Sequence, residues 1–339
     1  MRDAKTFIKS QLEQNVSLID LYRDIQQDLG KVEETLKLFT ESENPIIAEI
    51  SDYLFKKAGK RIRPALLMLC ARLFDYKGEE HILMSALVET IHTASLIHDD
   101  IIDHSNVRRG RPTVHARWGS NITVLLGDYL YIKSLNLAVQ SAHKDIIQIL
   151  TDTSAQMIDG ELYEYYMSGN LQLEEKNYLD ILDKKTASLF RTSCLIGGIL
   201  CHVLQKDQDQ LAEYGRNIGM SFQIIDDLLD YTGDTETLGK PVLTDLEEGR
   251  ITLPLIYTLN HDGKENRDRM TQLIQNNEFD KDAKTEILEI VKSNGALDYT
   301  YSKAESYALK SKAIIAQFPP SIFRESLELV PDFVLNRNL

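Results

Sequence analysis

Apolar residues recur at three- and four-residue spacing along almost the whole 339-residue chain, the pattern of helices that bury one face. PALLMLCARLF, ILMSALVETIHTASLIH and VLLGDYLYIKSLNLAVQ all follow it, and no segment sustains the alternation a strand requires. Several of these stretches are apolar around much of their circumference, which predicts central helices of a large bundle. Breaks fall at Gly59, at Gly110–Pro112, around Ser168–Asn170 and from Gly233 to Pro241. Residues 1–40 predict a peripheral amphipathic helical segment with an acidic surface, and Asn260 to Met270 an exposed polar connection. No linker, repeat of solenoid length or composition break divides the chain, so residues 1–339 are expected to form one all-α domain, a single large bundle of long helices.

Composition narrows the partners. The net charge of −14 argues against nucleic acid, which calls for a basic face. No stretch approaches the roughly 18 apolar residues of a membrane span, and no signal peptide is visible, so a cytoplasmic protein is expected. Cys70, Cys194 and Cys201 form neither a paired framework nor a metal-binding spacing. Basic charge is concentrated in KKAGKRIR (Lys56 to Arg63) and RRGR (Arg108 to Arg111). Basic loops on an acidic protein suit small, multiply charged anions.

Two acidic patterns sit inside apolar helical sequence: SLIHDDIID, with Asp99, Asp100 and Asp103, and FQIIDDLLD, with Asp226, Asp227 and Asp230. At about 100° per residue, each trio spans an arc of roughly 100° on its helix. One such pattern is ordinarily a solvated face. Two copies in apolar surroundings point instead to carboxylates facing each other around hard divalent cations, Mg2+ above all, which bridge to phosphates. His92 shares the face of Asp99, and Gln223 that of Asp226. Lys60, Arg63, Arg108 and Arg109 could grip diphosphates through charge-assisted hydrogen bonds, with Lys185 and Thr186 of KKTASLF adding a cation and a hydroxyl.

GKRIRP, IHTASLIHDDIIDHSNVRRGRPTVH, LLGDYLY, DKKTASLF, GMSFQIIDDLLDYT and LGKPVLTDLEEGRITLPLIYTL together resemble the trans-type polyprenyl diphosphate synthase family, in the family's order from Gly59 to Leu259. The resemblance implies a helical bundle around a deep cavity, usually a homodimer. It implies Mg2+-dependent extension of an allylic diphosphate, farnesyl or geranylgeranyl, by isopentenyl diphosphate, with three Mg2+ ions in the substrate-bound state. By matching motif, Asp99 and Asp103, with Asp226 opposite, hold the metal ions of the allylic diphosphate, and Asp100, Asp227 and Asp230 complete the clusters. Arg108, Lys185, Thr186 and Gln223 match the allylic site, joined by Lys240; Lys60, Arg63, His92 and Arg109 match the isopentenyl diphosphate site. Asp99, Asp103, Asp226, Lys185 and Lys240 are the expected catalytic set, stabilising charge on the departing diphosphate.

Short-chain members block the cavity with aromatics four and five residues before the first aspartate. Here those positions are Ser95 and Ala94, with Ile91 one turn further down. Small side chains there imply a medium- or long-chain product, about C30 to C50, in a deep apolar pocket. Quinone side chains are its destination by the same analogy, and release of so apolar a product implies transient membrane contact. Two departures from the family pattern are Glu164, where glutamine is frequent, and Leu243, where glycine is. The alternatives are a short-chain synthase and the catalytic subunit of a heteromeric synthase. A terpene cyclase would carry a different second motif, and a metal-dependent phosphohydrolase would require more histidines.

Overall fold

In the computed structural model, which describes residues 17–56, 59–140, 144–232, 242–276 and 278–337, helix dominates as the spacing predicts. The chain runs through α1 (Leu18–Tyr22), a 3-10 turn (Arg23–Ile25), α2 (Gln26–Thr40), α3 (Pro45–Phe55), α4 (Ile62–Leu73) and α5 (Glu80–Ile102). A small hairpin, β1 (Val107–Arg108) and β2 (Arg111–Pro112), precedes α6 (Val114–Trp118), α7 (Ser120–Gln140) and α8 (Lys144–Tyr166). Then α9 (Glu175–Leu182), a π turn (Asp183–Ala187) and α10 (Ser188–Leu200) follow one another directly, and α11 (Gln205–Thr232) comes next. The remainder is α12 (Thr244–Glu247), α13 (Leu253–His261), α14 (Lys264–Gln275), α15 (Lys281–Ser293), α16 (Ala296–Ile315) and α17 (Ile322–Leu335).

Two apolar cores flank the long α11. Leu211, Tyr214 and Ile218 join the first, with Leu66, Val88 and Phe190. Ile224 and Leu228 join the second, with Leu246, Ile256 and Ile287. Helix α4 is buried around its whole circumference, in keeping with its unbroken apolar run. The described part of the N-terminal segment also belongs to the interior, because Leu21, Ile25, Val32, Leu36 and Phe39 are buried in the first core. Residues 1–16 and the expected break at 233–241 lie outside the described residues.

Helix starts follow local chemistry. The Asn44 side chain accepts from the Ile46 N–H with Pro45 at the first position of α3, and Ser321 accepts from the Arg324 N–H at the start of α17. Inside α17, Pro331 has no N–H to give the Leu327 carbonyl. The buried Tyr214 hydroxyl supplies the missing donor at 2.6 Å, so the interruption is satisfied from α11.

Three features depart from the expectation. RRGR folds as a hairpin, with Arg108 paired to Arg111 and the loop residues Arg109 and Gly110 both left-handed, at φ 53° and 72°. That is the geometry of a tight two-residue turn matched to strand twist. The stretch expected as a connection from Asn260 to Met270 instead enters α14, because Met270, Leu273 and Ile274 form a narrow buried stripe that a boundary at Met270 cuts through. Finally, α7 is long and apolar enough to cross a membrane by length and composition, with a mean hydropathy of 1.3. One side of it, including Leu126, Leu130 and Ala138, is buried in the protein, whereas Leu125, Ile132 and Val139 are exposed.

Candidate active site

Helices α5 and α11 stand on opposite sides of two joined cavities. One of about 360 Å3 is lined by Lys60, Arg63, His92, Ser95, Asp99 and Arg109, among others. The other, about 380 Å3, is lined by Glu164, Asp227, Asp230, Asp245 and Arg250. Arg108, Lys185, Thr186, Gln223, Asp226 and Arg337 border both. A larger open groove of about 1150 Å3, where Arg111 and Arg117 stack on Tyr53 beside α3, holds none of these aspartates.

The structure brings both acidic patterns to this place but uses their members differently. Asp99 lines the first cavity; burial, then the charge of Glu161, push its carboxyl up to about 7. Asp100 turns away and accepts from Arg108 Nε at 2.6 Å. Asp103 pairs with Arg250 at 3.0 Å. On α11, Asp226 faces both cavities and pairs with Arg337. Asp227 accepts from the Tyr178 hydroxyl at 2.6 Å and from Gln223 Nε2 at 2.9 Å, and burial followed by Asp245 raises it to about 7. Asp230 anchors the next loop, accepting from the Thr244 and Asp245 backbone N–H groups at 3.1 and 3.2 Å.

Cations come from several elements. The π turn presents Lys185, whose ammonium donates to Glu161 at 2.6 Å and Glu164 at 2.5 Å on α8. Burial pulls the Lys185 pKa down, but Glu164 and Glu161 outweigh it and the net shift is upward. Gly160 makes this approach possible: a Cβ there would lie 2.7 Å from the Lys185 backbone nitrogen. Thr186 donates to Gln223 Oε1 at 3.0 Å, completing a chain through Gln223 to Asp227. Across the cavity, Arg63 NH1 lies 3.1 Å from His92 Nε2. Since arginine only donates, Nε2 accepts and the ring is neutral. Burial, then Arg63, hold the His92 pKa well below its ordinary value. Arg63 is itself pushed down to about 10 by burial. Lys60 is lowered by burial and then by Arg337 and Arg109. Lys240 lies outside the described residues.

Of the three positions expected to govern product length, Ser95 lines the cavity beneath Asp99, with Met157 and Phe222 nearby on its wall. Ala94 is buried in a cluster with Ile50, Leu126 and Leu130, and Ile91 belongs to the first core.

Three participants were not read from the sequence. Arg250 joins Asp103, Asp245 and Glu248; its place in DLEEGRITLPL was the available signal. Glu161, in DGELY, shares Lys185. Arg337 follows α17 with no surrounding motif, and only the fold brings it to the cavities.

A hard divalent cation fits this donor set chemically, since Asp99 and Asp226 offer carboxylate oxygens to the cavities and Asp103 lies against Arg250 on the wall of the second. Among the described residues, however, no group of three such side chains is already gathered as a metal site. Arg250 pairs with Asp103 and Arg337 with Asp226 instead.

Comparison with known proteins gives consistent results. The family model described as polyprenyl synthetase matches residues 44–291. The chain is 32% identical to an octaprenyl diphosphate synthase of Haemophilus influenzae, over 95% of this chain and 98% of that one. It is 32% identical to heptaprenyl diphosphate synthase component 2 of Bacillus subtilis, over 93% and 90%. A solved polyprenyl synthase from Caulobacter crescentus, complexed with calcium and isoprenyl diphosphate, superposes with a TM-score of 0.92 at 34% identity, covering 96% of this chain and all of that one.

Proposed function

The chain belongs to the polyprenyl synthetase family and is a prenyltransferase, and from this premise we propose how its site works. Isopentenyl diphosphate is added to an allylic diphosphate, farnesyl or geranylgeranyl, in the presence of Mg2+, to build a medium- or long-chain all-trans polyprenyl diphosphate. The observation that carries the reading is the placement of Asp99 and Asp226 on facing helices around cavities that also gather Lys60, Arg63, Arg108 and Lys185.

In this scheme Asp99 and Asp103, with Asp226 opposite, would hold the metal ions, three with substrate bound; Asp100, Asp227 and Asp230 would fix the frame around them. Mg2+ held there would offset negative charge on the allylic diphosphate as a leaving group. Lys185, Arg108 and the Thr186–Gln223 pair orient that diphosphate, and Lys240 joins them. Lys60, Arg63, His92 and Arg109 hold isopentenyl diphosphate, whose double bond attacks the allylic cation to form the new C–C bond. The proton lost from the adduct passes to the released diphosphate. The apolar wall of Leu96, Met157 and Phe222 keeps water from the cation. Asp99→Ala and Asp226→Ala are expected to abolish elongation while the fold persists; full activity in both would remove the metal assignment.

Of the small residues before Asp99, Ser95 is on the cavity wall and supports a long product, whereas Ala94 is packed against Ile50, Leu126 and Leu130 and leaves the cavity unchanged. Incubation with Mg2+, isopentenyl diphosphate and farnesyl diphosphate is expected to give products of C30 or longer. Products ending at C15 or C20 would mean that a residue close to Asp99 closes the cavity to a longer tail. Failure to elongate any allylic primer would favour the heteromeric reading, for which the relative from Bacillus subtilis named component 2 is the precedent. A product of this length suits lipid side chains, quinones included, and leaves the cytoplasmic enzyme through brief membrane contact.

A homodimer across α7 and α8 accounts for their outer apolar faces. Leu125, Ile132, Leu162 and Tyr166 are 68, 61, 64 and 81% exposed, an unusual concentration for a monomer surface. Leu125→Asp with Ile132→Asp is expected to halve the mass measured by sedimentation; an unchanged mass would place the interface elsewhere.

A further inference from the structure

Arg61 stands in an uncommon backbone conformation. It precedes α4 with φ 52° and ψ 35°, in the left-handed region, where a Cβ crowds the chain. The usual residue before a helix is extended and caps it with a side-chain oxygen; Arg61 does neither. Its side chain holds it instead. Nε and Nη2 donate to the two carboxylate oxygens of Glu33 on α2, at 2.5 and 3.0 Å, and Nη1 donates to Glu89 on α5 at 2.5 Å. Arg61 and Glu89 are both buried. Each guanidinium nitrogen is thus committed to a carboxylate, and charge-assisted bonds in this forked arrangement are strong and directional.

The two cations that the site uses lie on either side of this residue. Lys60 and Arg63 line the first cavity with Arg109 and with His92, which follows Glu89 by one helical turn on α5. The same stretch of backbone is tied at a second point, where the Tyr22 hydroxyl donates to the Lys60 carbonyl. It also fits closely against the hairpin, since a Cβ on Gly59 would lie 3.0 Å from the Arg109 guanidinium. The Glu89 charge acts favourably on Arg63 and Arg109 as well. We propose that Arg61 is a positioning residue: clamped between Glu33 and Glu89, it fixes the turn from Gly59 to Arg63 so that Lys60 and Arg63 face isopentenyl diphosphate together. The strained backbone at Arg61 is then the means by which two nearby cations share one cavity. With its nitrogens already engaged, Arg61 acts through these neighbours and not on the substrate. This inference rests on the assignment of Lys60 and Arg63 proposed above.

Steady-state kinetics separate this role from a merely structural one. Glu33 borders neither cavity of the site and its side chain is 38% exposed, so Glu33→Gln reaches the substrate only through Arg61. Glu33→Gln, and Arg61→Lys, which keeps the charge but loses the fork, are each expected to raise the KM for isopentenyl diphosphate by about tenfold. Both kcat and the KM for farnesyl diphosphate are expected to stay within about twofold of wild type. The double variant is expected to be no worse than Arg61→Lys alone, because both changes break one clamp. Arg63→Gln is the reference for direct contact and is expected to raise the same KM. An unchanged KM for isopentenyl diphosphate in either clamp variant, or a loss spread equally over both substrates and kcat, would overturn the positioning role. Should Arg63→Gln also leave that KM unchanged, the isopentenyl diphosphate assignment itself fails. If circular dichroism shows Arg61→Lys unfolded, the half-exposed Glu33→Gln decides the matter alone.

Discussion

Leu243 has a φ of 59°, in the left-handed region where a side chain costs about 1–2 kcal/mol, and where the sequence resemblance had marked glycine as usual. Its side chain is fully buried in the second core. Losing such a leucine costs about 2–5 kcal/mol, so packing outweighs strain. Leu243→Gly is therefore expected to destabilise the protein in urea unfolding, by about 1–3 kcal/mol net; a stabilised variant would show that strain dominates. The same scale explains what could be read from sequence. Spacing alone put His92 and Asp99 on one face, and both line the cavity. Spacing could not distinguish Asp99, open to the cavity, from Asp100, held by Arg108, because that choice depends on a hairpin folding back. A pH test belongs here too. In metal-free protein Asp99 is pushed up to about 7 by burial and Glu161, against about 3.9 when unfolded. Its protonated form thus supports the fold fully below about pH 4, and that support is lost as pH rises through about 7. Asp99→Asn should raise the melting temperature in EDTA at pH 8, by a few degrees, and the gain should fade towards pH 4. His92, whose pKa is depressed by burial and Arg63, works in the opposite direction. The comparison of variant with wild type, rather than the wild-type curve, isolates Asp99. A gain equal at both pH values would contradict the assignment.

Among elements, the long helices were legible because their apolar positions are numerous and regular: α4 and α5 emerge from unbroken patterns. Helix α14 was not, since three buried side chains at its end are little signal in a polar stretch. The RRGR hairpin was read for charge rather than shape, as arginine is no favoured residue of a left-handed turn. Helix α17 illustrates a different difficulty. Pro331 reads as a breaker, yet the helix continues because Tyr214, far away in sequence, satisfies the released carbonyl. Tyr214→Phe leaves that carbonyl buried without its donor and is expected to cost about 1–3 kcal/mol, measured by urea unfolding. Unchanged stability would mean the carbonyl finds another donor.

At the scale of the molecule, the net charge of −14 argues against a nucleic-acid partner but conceals how charge is distributed. Arg250, Arg337 and Lys185 sit among acidic groups and pair with them, so part of the site's acidic charge is offset by its own basic side chains. Composition could not reveal this, because the partners are separated by long stretches of chain. That separation also has a consequence in time. Lys60 and Arg337 bracket most of the chain, and α17 packs against α1 and α4 as well as α11. With translation at about 5–20 residues per second, the first basic residues leave the ribosome on the order of tens of seconds before Arg337 exists. A growing chain can therefore fold its early helices but cannot complete the cavity. The cavities are therefore completed late, when α17 docks and brings Arg337 beside residues synthesised far earlier.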